Sequence, residues 1–109
     1  MIPRRNKVSI ILFDSLPTKH TTLFFSVGMI NIYHIKGLTE PKIAVVVSKK
    51  HTKTAVGRHV LKRVFFNAIA PLLNTLQPVV YVIYPKKGIL YKDIHIKELT
   101  EEFSKVIFG

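Results

Sequence analysis

The sequence contains no cysteine, and only six of its 109 residues are acidic. The first absence removes disulfides, thiolate metal ligands and thiol nucleophiles together, and it fits a cytoplasmic protein. Long apolar runs are missing as well. The stretch from Leu23 to Ile32 is broken by Ser26, Gly28 and Asn31, well short of the ~20 residues a membrane-spanning helix needs. The basic start, Arg4, Arg5 and Lys7, is followed by too short an apolar segment for a secretory signal, so it is expected to belong to the mature fold. No repeat, low-complexity tract or Gly/Ser-rich linker divides the chain, and residues 1–109 are read as one domain.

Signatures of a self-sufficient enzyme are lacking too. There is no P-loop and no Gly-x-Ser-x-Gly motif. The five histidines, His20, His34, His51, His59 and His95, include no pair at metal-ligand spacing. Glu98, Glu101 and Glu102 crowd one predicted helix, while Asp14 and Asp93 have no obvious acidic neighbour. The sequence thus predicts no catalytic residue, no metal site and no small-molecule cofactor of the protein's own.

Positive charge is abundant. Seventeen Lys and Arg give a formal net charge of +11, and a polyanionic partner is a natural reason for such an excess. No acid occurs from Ile43 to Gln77, whereas Lys49, Lys50, Lys53, Arg58, Lys62 and Arg63 fall within fifteen positions. Four of the six acids lie at or after Asp93. The chain is polarised, with a basic middle and a balanced C-terminal end.

Apolar residues make up 48% of the chain and are spread over its length, so every element must give a face to one small core. Val8 to Leu16 reads as a short amphipathic helix stopped by Pro17. Thr21 to Ile30 and Asn31 to Lys36 read as antiparallel strands, with Gly28 near a bend. Lys42 to Ser48, nearly continuously apolar, suggests a central strand covered on both faces. From Ala55 to Leu76, Val60, Leu61, Val64, Phe65, Ala68, Ile69, Leu72 and Leu73 recur at helical spacing. Pro71 should kink or shorten that helix. Val79 to Tyr84 is a further buried strand, and Ile94 to Phe108 a last amphipathic helix with Ile96, Leu99, Phe103 and Val106 or Ile107 inward. Strands interleaved with so few helices predict an α+β sandwich.

At ~100° per residue, Arg58, His59, Lys62 and Arg63 share the helix face opposite the apolar stripe, with Phe66 in their midst. A lysine-rich loop leads into this helix's N-terminus, where free amides and the dipole also attract anions. Solvated helix faces normally mix signs, and this one carries no acid, which favours a phosphate-binding surface. A membrane-bound amphipathic helix would need the apolar stripe that the core requires. A different RNA-binding module, such as a ribosomal protein, and a basic protein that docks on an acidic partner both remain open from charge alone.

The run Ile43-Ala44-Val45-Val46-Val47-Ser48-Lys49-Lys50, followed by Ala55-Val56-Gly57-Arg58-His59-Val60-Leu61-Lys62-Arg63, resembles the protein subunit of bacterial ribonuclease P. That family has a strand ending in V-S-K-K and then a helix opening A-V-x-R-N-R-x-K-R. The opening Met1-Ile2-Pro3-Arg4-Arg5-Asn6 is similar to its usual start. Here Arg58-His59-Val60 stands for Arg-Asn-Arg, Phe66 and Asn67 replace charged residues one turn later, and the first helix is short.

The resemblance implies an α-β-β-β-α-β-α sandwich with a four-stranded sheet and a left-handed crossover around the second helix, like the second domain of ribosomal protein S5. It implies a subunit that breaks no bond itself. In this family a large RNA with bound Mg²⁺ removes the 5′ leader of precursor tRNA, and the protein binds that RNA and the leader. By position, Ser48, Lys49, Lys50, Lys53, Arg58, His59, Lys62 and Arg63 would contact RNA, while Phe13, Lys86 and Lys87 would line the leader cleft. The implied partners are ribonuclease P RNA and precursor tRNA, with Mg²⁺ held mainly by the RNA.

Overall fold

A computed structural model of the chain describes residues 2–49 and 54–109. Helix α1 (Ile10–Asp14) is followed by strands β1 (Thr21–Phe25), β2 (Gly28–Tyr33) and β3 (Lys42–Val45). Helix α2 (Ala55–Ile69), strand β4 (Val80–Pro85) and helix α3 (Ile96–Phe108) complete the order. The four strands form one sheet in the order β1-β2-β4-β3, antiparallel except for the parallel β3–β4 pair that α2 connects. This is the expected α-β-β-β-α-β-α sandwich.

The central strands β2 and β4 are mostly apolar because both faces of the sheet are covered, and the buried Asn31 of β2 accepts from the Thr22 hydroxyl at 2.8 Å; β3, expected to be central, lies instead at the sheet edge. On one face Phe65 of α2 and Phe103 of α3, both fully buried, meet Phe25 of β1 with ring centroids 6.3 and 5.0 Å away. Leu61, Ala68, Ile69 and Leu99 complete that core. The opposite face buries Val80, Val82 and Tyr33 beneath Val8, Leu12 and Leu16, the apolar side of α1 and its flanks. The Thr100 hydroxyl donates to the Ala68 carbonyl at 2.5 Å and joins α3 to α2.

Several boundaries differ from those the sequence predicts. The first hairpin turns at Ser26-Val27, so β1 ends at Phe25, and the strand expected over Asn31–Lys36 runs instead from Gly28 to Tyr33. Two contacts fix that turn. The Ser26 amide and hydroxyl donate to the Glu102 carboxylate at 2.8 and 2.6 Å, a tertiary anchor 76 residues away. Gly28 sits so close to β4 that a Cβ there would lie 2.4 Å from the Tyr84 carbonyl oxygen. The long helix stops at Ile69, and a 3₁₀ segment from Ala70 to Thr75 carries the chain past Pro71, which cannot supply the amide an α-helix requires. Ile96, expected inward, is 40% exposed because it occupies the first turn of α3, ahead of the buried pair Leu99 and Phe103.

Candidate nucleic-acid interface

The site begins with the N-terminal segment. Asn6 donates from its side-chain amide to the Pro41 carbonyl at 3.0 Å, and Lys7 pairs with Ile43 in a parallel bridge. The Val8 amide donates to the Ile43 carbonyl at 3.0 Å, and the Lys42 ammonium donates to the Arg5 carbonyl. Held along β3 in this way, the chain enters α1 at Ser9, whose hydroxyl accepts from the Leu12 amide at 3.1 Å. Leu12 then faces the sheet, and Phe13 is left 38% exposed beside the β3 edge.

Across that edge lies α2. Its first turn is capped by Thr54, whose hydroxyl accepts from the Gly57 amide at 3.0 Å, so one N-terminal donor is already taken. The apolar stripe of α2 faces the core, which forces the opposite side outward. His59, Lys62 and Arg63 are exposed and Arg58 half-buried. Among the described residues, Lys62 and Arg63 pair with no carboxylate, and Glu102 is engaged by Ser26 instead.

Between α1, β3 and α2 opens a groove of about 580 Å³ that brings Phe13 together with His59, Lys62 and Arg63. Among the described residues, no carboxylate lines it. Four of the residues singled out from the sequence therefore converge on one concavity. Lys7 and Phe66 join them, with the Lys7 ammonium 5.0 Å from the Phe66 ring centroid. Phe66 is half-buried, and one edge packs on the core. That double contact explains an aromatic within a basic helix face. Lys7 was legible only as part of a basic N-terminus, since its place beside α2 depends on the bridge to Ile43.

Ser48, Lys49, Lys86 and Lys87 do not line the groove. They leave the sheet together at one end, because β3 and β4 run parallel with Val45 beside Ile83. All four are exposed there. The Lys86 amide donates to the Val27 carbonyl at 2.7 Å, and its residue borders a second recess on the β1 side. Lys50 and Lys53 lie outside the described residues.

Tyr33 and Tyr84 line the sheet face beneath α1. Burial pushes the Tyr84 phenol above its usual range, and its hydrogen bond with the Tyr33 side chain adds to the effect. Among the described residues no three His, Asp or Glu side chains gather in a way that could hold a metal ion. No helix among the described residues is long and apolar enough to cross a membrane.

Compared one by one with curated protein sequences, the chain matches none. Two solved structures share its fold. One is a Staphylococcus aureus RNase P protein mutant with defective mRNA degradation activity, with a TM-score of 0.76 at 14% identity over 96% of this chain and 87% of that one. The other is the Staphylococcus aureus RNase P protein, with a TM-score of 0.74 at 14% identity over 95% of this chain and 98% of that one. At such identity the likeness speaks for the fold alone. The family model for ribonuclease P, however, matches residues 12–108, from the first helix to the last. Fold and sequence pattern agree from end to end: the chain belongs to the ribonuclease P family, as a bacterial RNase P protein.

Proposed function

We propose that this subunit docks on the catalytic RNA of ribonuclease P and holds the 5′ leader of precursor tRNA in the groove beside Phe13. The observation that carries this reading is the groove itself, where an exposed aromatic stands among His59, Lys62 and Arg63 with no carboxylate among the described residues of the lining. Arginine bridges phosphate oxygens in a bidentate way, while lysine acts as a mobile point charge along a backbone. An exposed phenylalanine stacks on any base at ~1–3 kcal/mol, which suits a leader of variable sequence. Arg58, His59, Lys62 and Arg63 meet RNA phosphates on the α2 side. Ser48 and Lys49 do so at the sheet end, with Lys86 and Lys87 leaving the sheet beside them, and Lys50 and Lys53 are assigned to RNA by the family resemblance alone.

In this reading the RNA is the catalyst, and Mg²⁺, which supplies the activated water and steadies the leaving oxygen, is held mainly by that RNA. The protein contributes binding, charge neutralisation and placement of the leader. Such work belongs in the cytoplasm, where precursor tRNA is processed. Reconstitution tests the proposal. The protein is mixed with a bacterial ribonuclease P RNA at low Mg²⁺, and precursor tRNA cleavage is followed. Stimulated release of the 5′ leader is expected. Tight RNA binding without stimulation would favour a ribosomal-type role, and no binding at all would favour an acidic protein partner.

A further inference from the structure

We infer that the end of the sheet away from Lys86 carries a site for a purine nucleoside monophosphate, its phosphate held by Lys19, His20 and His34 and its base beside Phe108. The inference goes beyond the leader-binding reading and does not rest on it, because the base recess opens on the α3 side of the sheet and Phe13 lies on the α1 side. Thr21 stands opposite Ile32 in the antiparallel register, and directly paired residues share a face. Ile32 packs on the core that α2 and α3 cover. His34 follows it two residues later, where side chains return to the same face. Tyr33, between them, belongs instead to the cluster beneath α1.

The phosphate end is a recess of about 440 Å³ lined by Pro17, Lys19, His20, Thr21 and His34. A lysine and two imidazoles meet there, and among the described residues no carboxylate borders the recess. His20 is held in place. Its Nδ1 donates to the Thr18 carbonyl at 2.9 Å, and its ring lies against Tyr33 with centroids 5.0 Å apart. Because a carbonyl only accepts, Nδ1 carries the hydrogen and Nε2 is the nitrogen left to meet a ligand. Such a group of cationic donors without a countercharge suits a terminal phosphate.

Thr21 and His34 also line a second recess, of about 290 Å³, on the α3 side, so the two adjoin. This one is walled by Leu23, Ile32 and Val106, and Phe108, 49% exposed, gives it an open aromatic face. Gln77 stands exposed in the same lining. Its side-chain amide presents a donor and an acceptor side by side, the pair that the N6–N7 edge of adenine matches. Together the recesses reach the size of a small-molecule site, ~300–1,000 Å³. An inorganic anion would leave the aromatic end empty, and an uncharged base would leave the cations unmatched. A phosphorylated purine satisfies both.

The test is calorimetric titration of the full chain with AMP, adenosine and inorganic phosphate at one ionic strength and about pH 6, where a free imidazole is largely charged. AMP fills both ends, so it should bind at least about five-fold more tightly than phosphate and ten-fold more tightly than adenosine. Lys19→Ala and His34→Ala should each weaken AMP roughly ten-fold, the worth of a charge-assisted contact, and leave adenosine unchanged. Phe108→Ala should weaken AMP and adenosine roughly five-fold and leave phosphate unchanged. All three side chains are exposed, so the fold survives each change. AMP should bind equally well to the protein assembled on a ribonuclease P RNA. Phosphate binding as tight as that of AMP, or AMP affinity unaltered by Lys19→Ala and His34→Ala, would overturn the site. Displacement of AMP by the RNA would give the recess to polynucleotide phosphates and overturn it as well.

Discussion

Replacing Lys62 with alanine isolates one electrostatic contact. The side chain is exposed on α2 and, among the described residues, has no carboxylate partner, so its loss removes charge without breaking an internal pair. Each phosphate neutralised on duplex nucleic acid contributes about 0.9 to the slope of log affinity against log salt. Over a four-fold rise from about 50 to 200 mM salt, one such contact is worth roughly 3.5-fold in affinity. Lys62→Ala should therefore bind a ribonuclease P RNA more weakly at the low end, and its deficit should shrink roughly 3.5-fold by the high end. Fluorescence anisotropy across that range reads the slope directly. Lys105→Ala serves as the control. Its neighbours Val106 and Phe108 border a recess with Thr21 and Tyr81, at the end of the sheet away from Lys86. Parallel slopes for wild type and Lys62→Ala would remove this lysine from the interface. A slope change of the same size in Lys105→Ala would show that overall charge, rather than the α2 face, sets the affinity.

Other substitutions test the scaffold. Phe65→Ala empties a fully buried site between Phe25 and Phe103, and chemical denaturation should show a loss of ~3–5 kcal/mol; a loss below ~1 kcal/mol would mean that the core is not built around this ring. Gly28→Ala drives a methyl group to 2.4 Å from the Tyr84 carbonyl oxygen and should lower stability by ~1–3 kcal/mol through the strained β2–β4 ladder; an unchanged midpoint would contradict that close approach. Burial raises the Tyr81 phenol above 10.0, outweighing its hydrogen bond with the Gln77 backbone. The folded state thus keeps the phenol neutral while the unfolded chain ionises, so this contribution is whole below pH 10 and is lost as pH climbs through the raised folded value. Tyr81→Phe should flatten the alkaline fall in stability, and an equally steep fall would assign it to other groups.

The sequence revealed some parts of this molecule far better than others, for physical reasons. Helix α2 was legible because Leu61, Phe65, Ala68 and Ile69 repeat at the helical period and are buried as that period demands. Its early end was legible because proline lacks an amide. The basic face followed by elimination, since whatever lies opposite a buried stripe must be outside. The bend near Gly28 was legible, but the strand boundaries around it were misplaced because the sequence continues apolar through Val27 to Ile30, and the anchor that fixes the turn, Glu102 on Ser26, is a contact between distant segments. Phe66 fitted neither the core nor the basic surface on a helical wheel. It is explained only when the N-terminal segment is laid along β3 and Lys7 reaches its ring.

The absence of native cysteine permits a direct test of where the RNA lies. Asn67→Cys places one thiol on the exposed side of α2, a turn beyond Arg63, and Lys105→Cys places one near the end of α3. Each variant is fitted with a tethered iron chelate and assembled on a bacterial ribonuclease P RNA. Hydroxyl radicals should cut the RNA backbone from position 67 and leave it intact from position 105. Cleavage from position 105 with none from position 67 would place the RNA on the other side of the molecule and contradict the account.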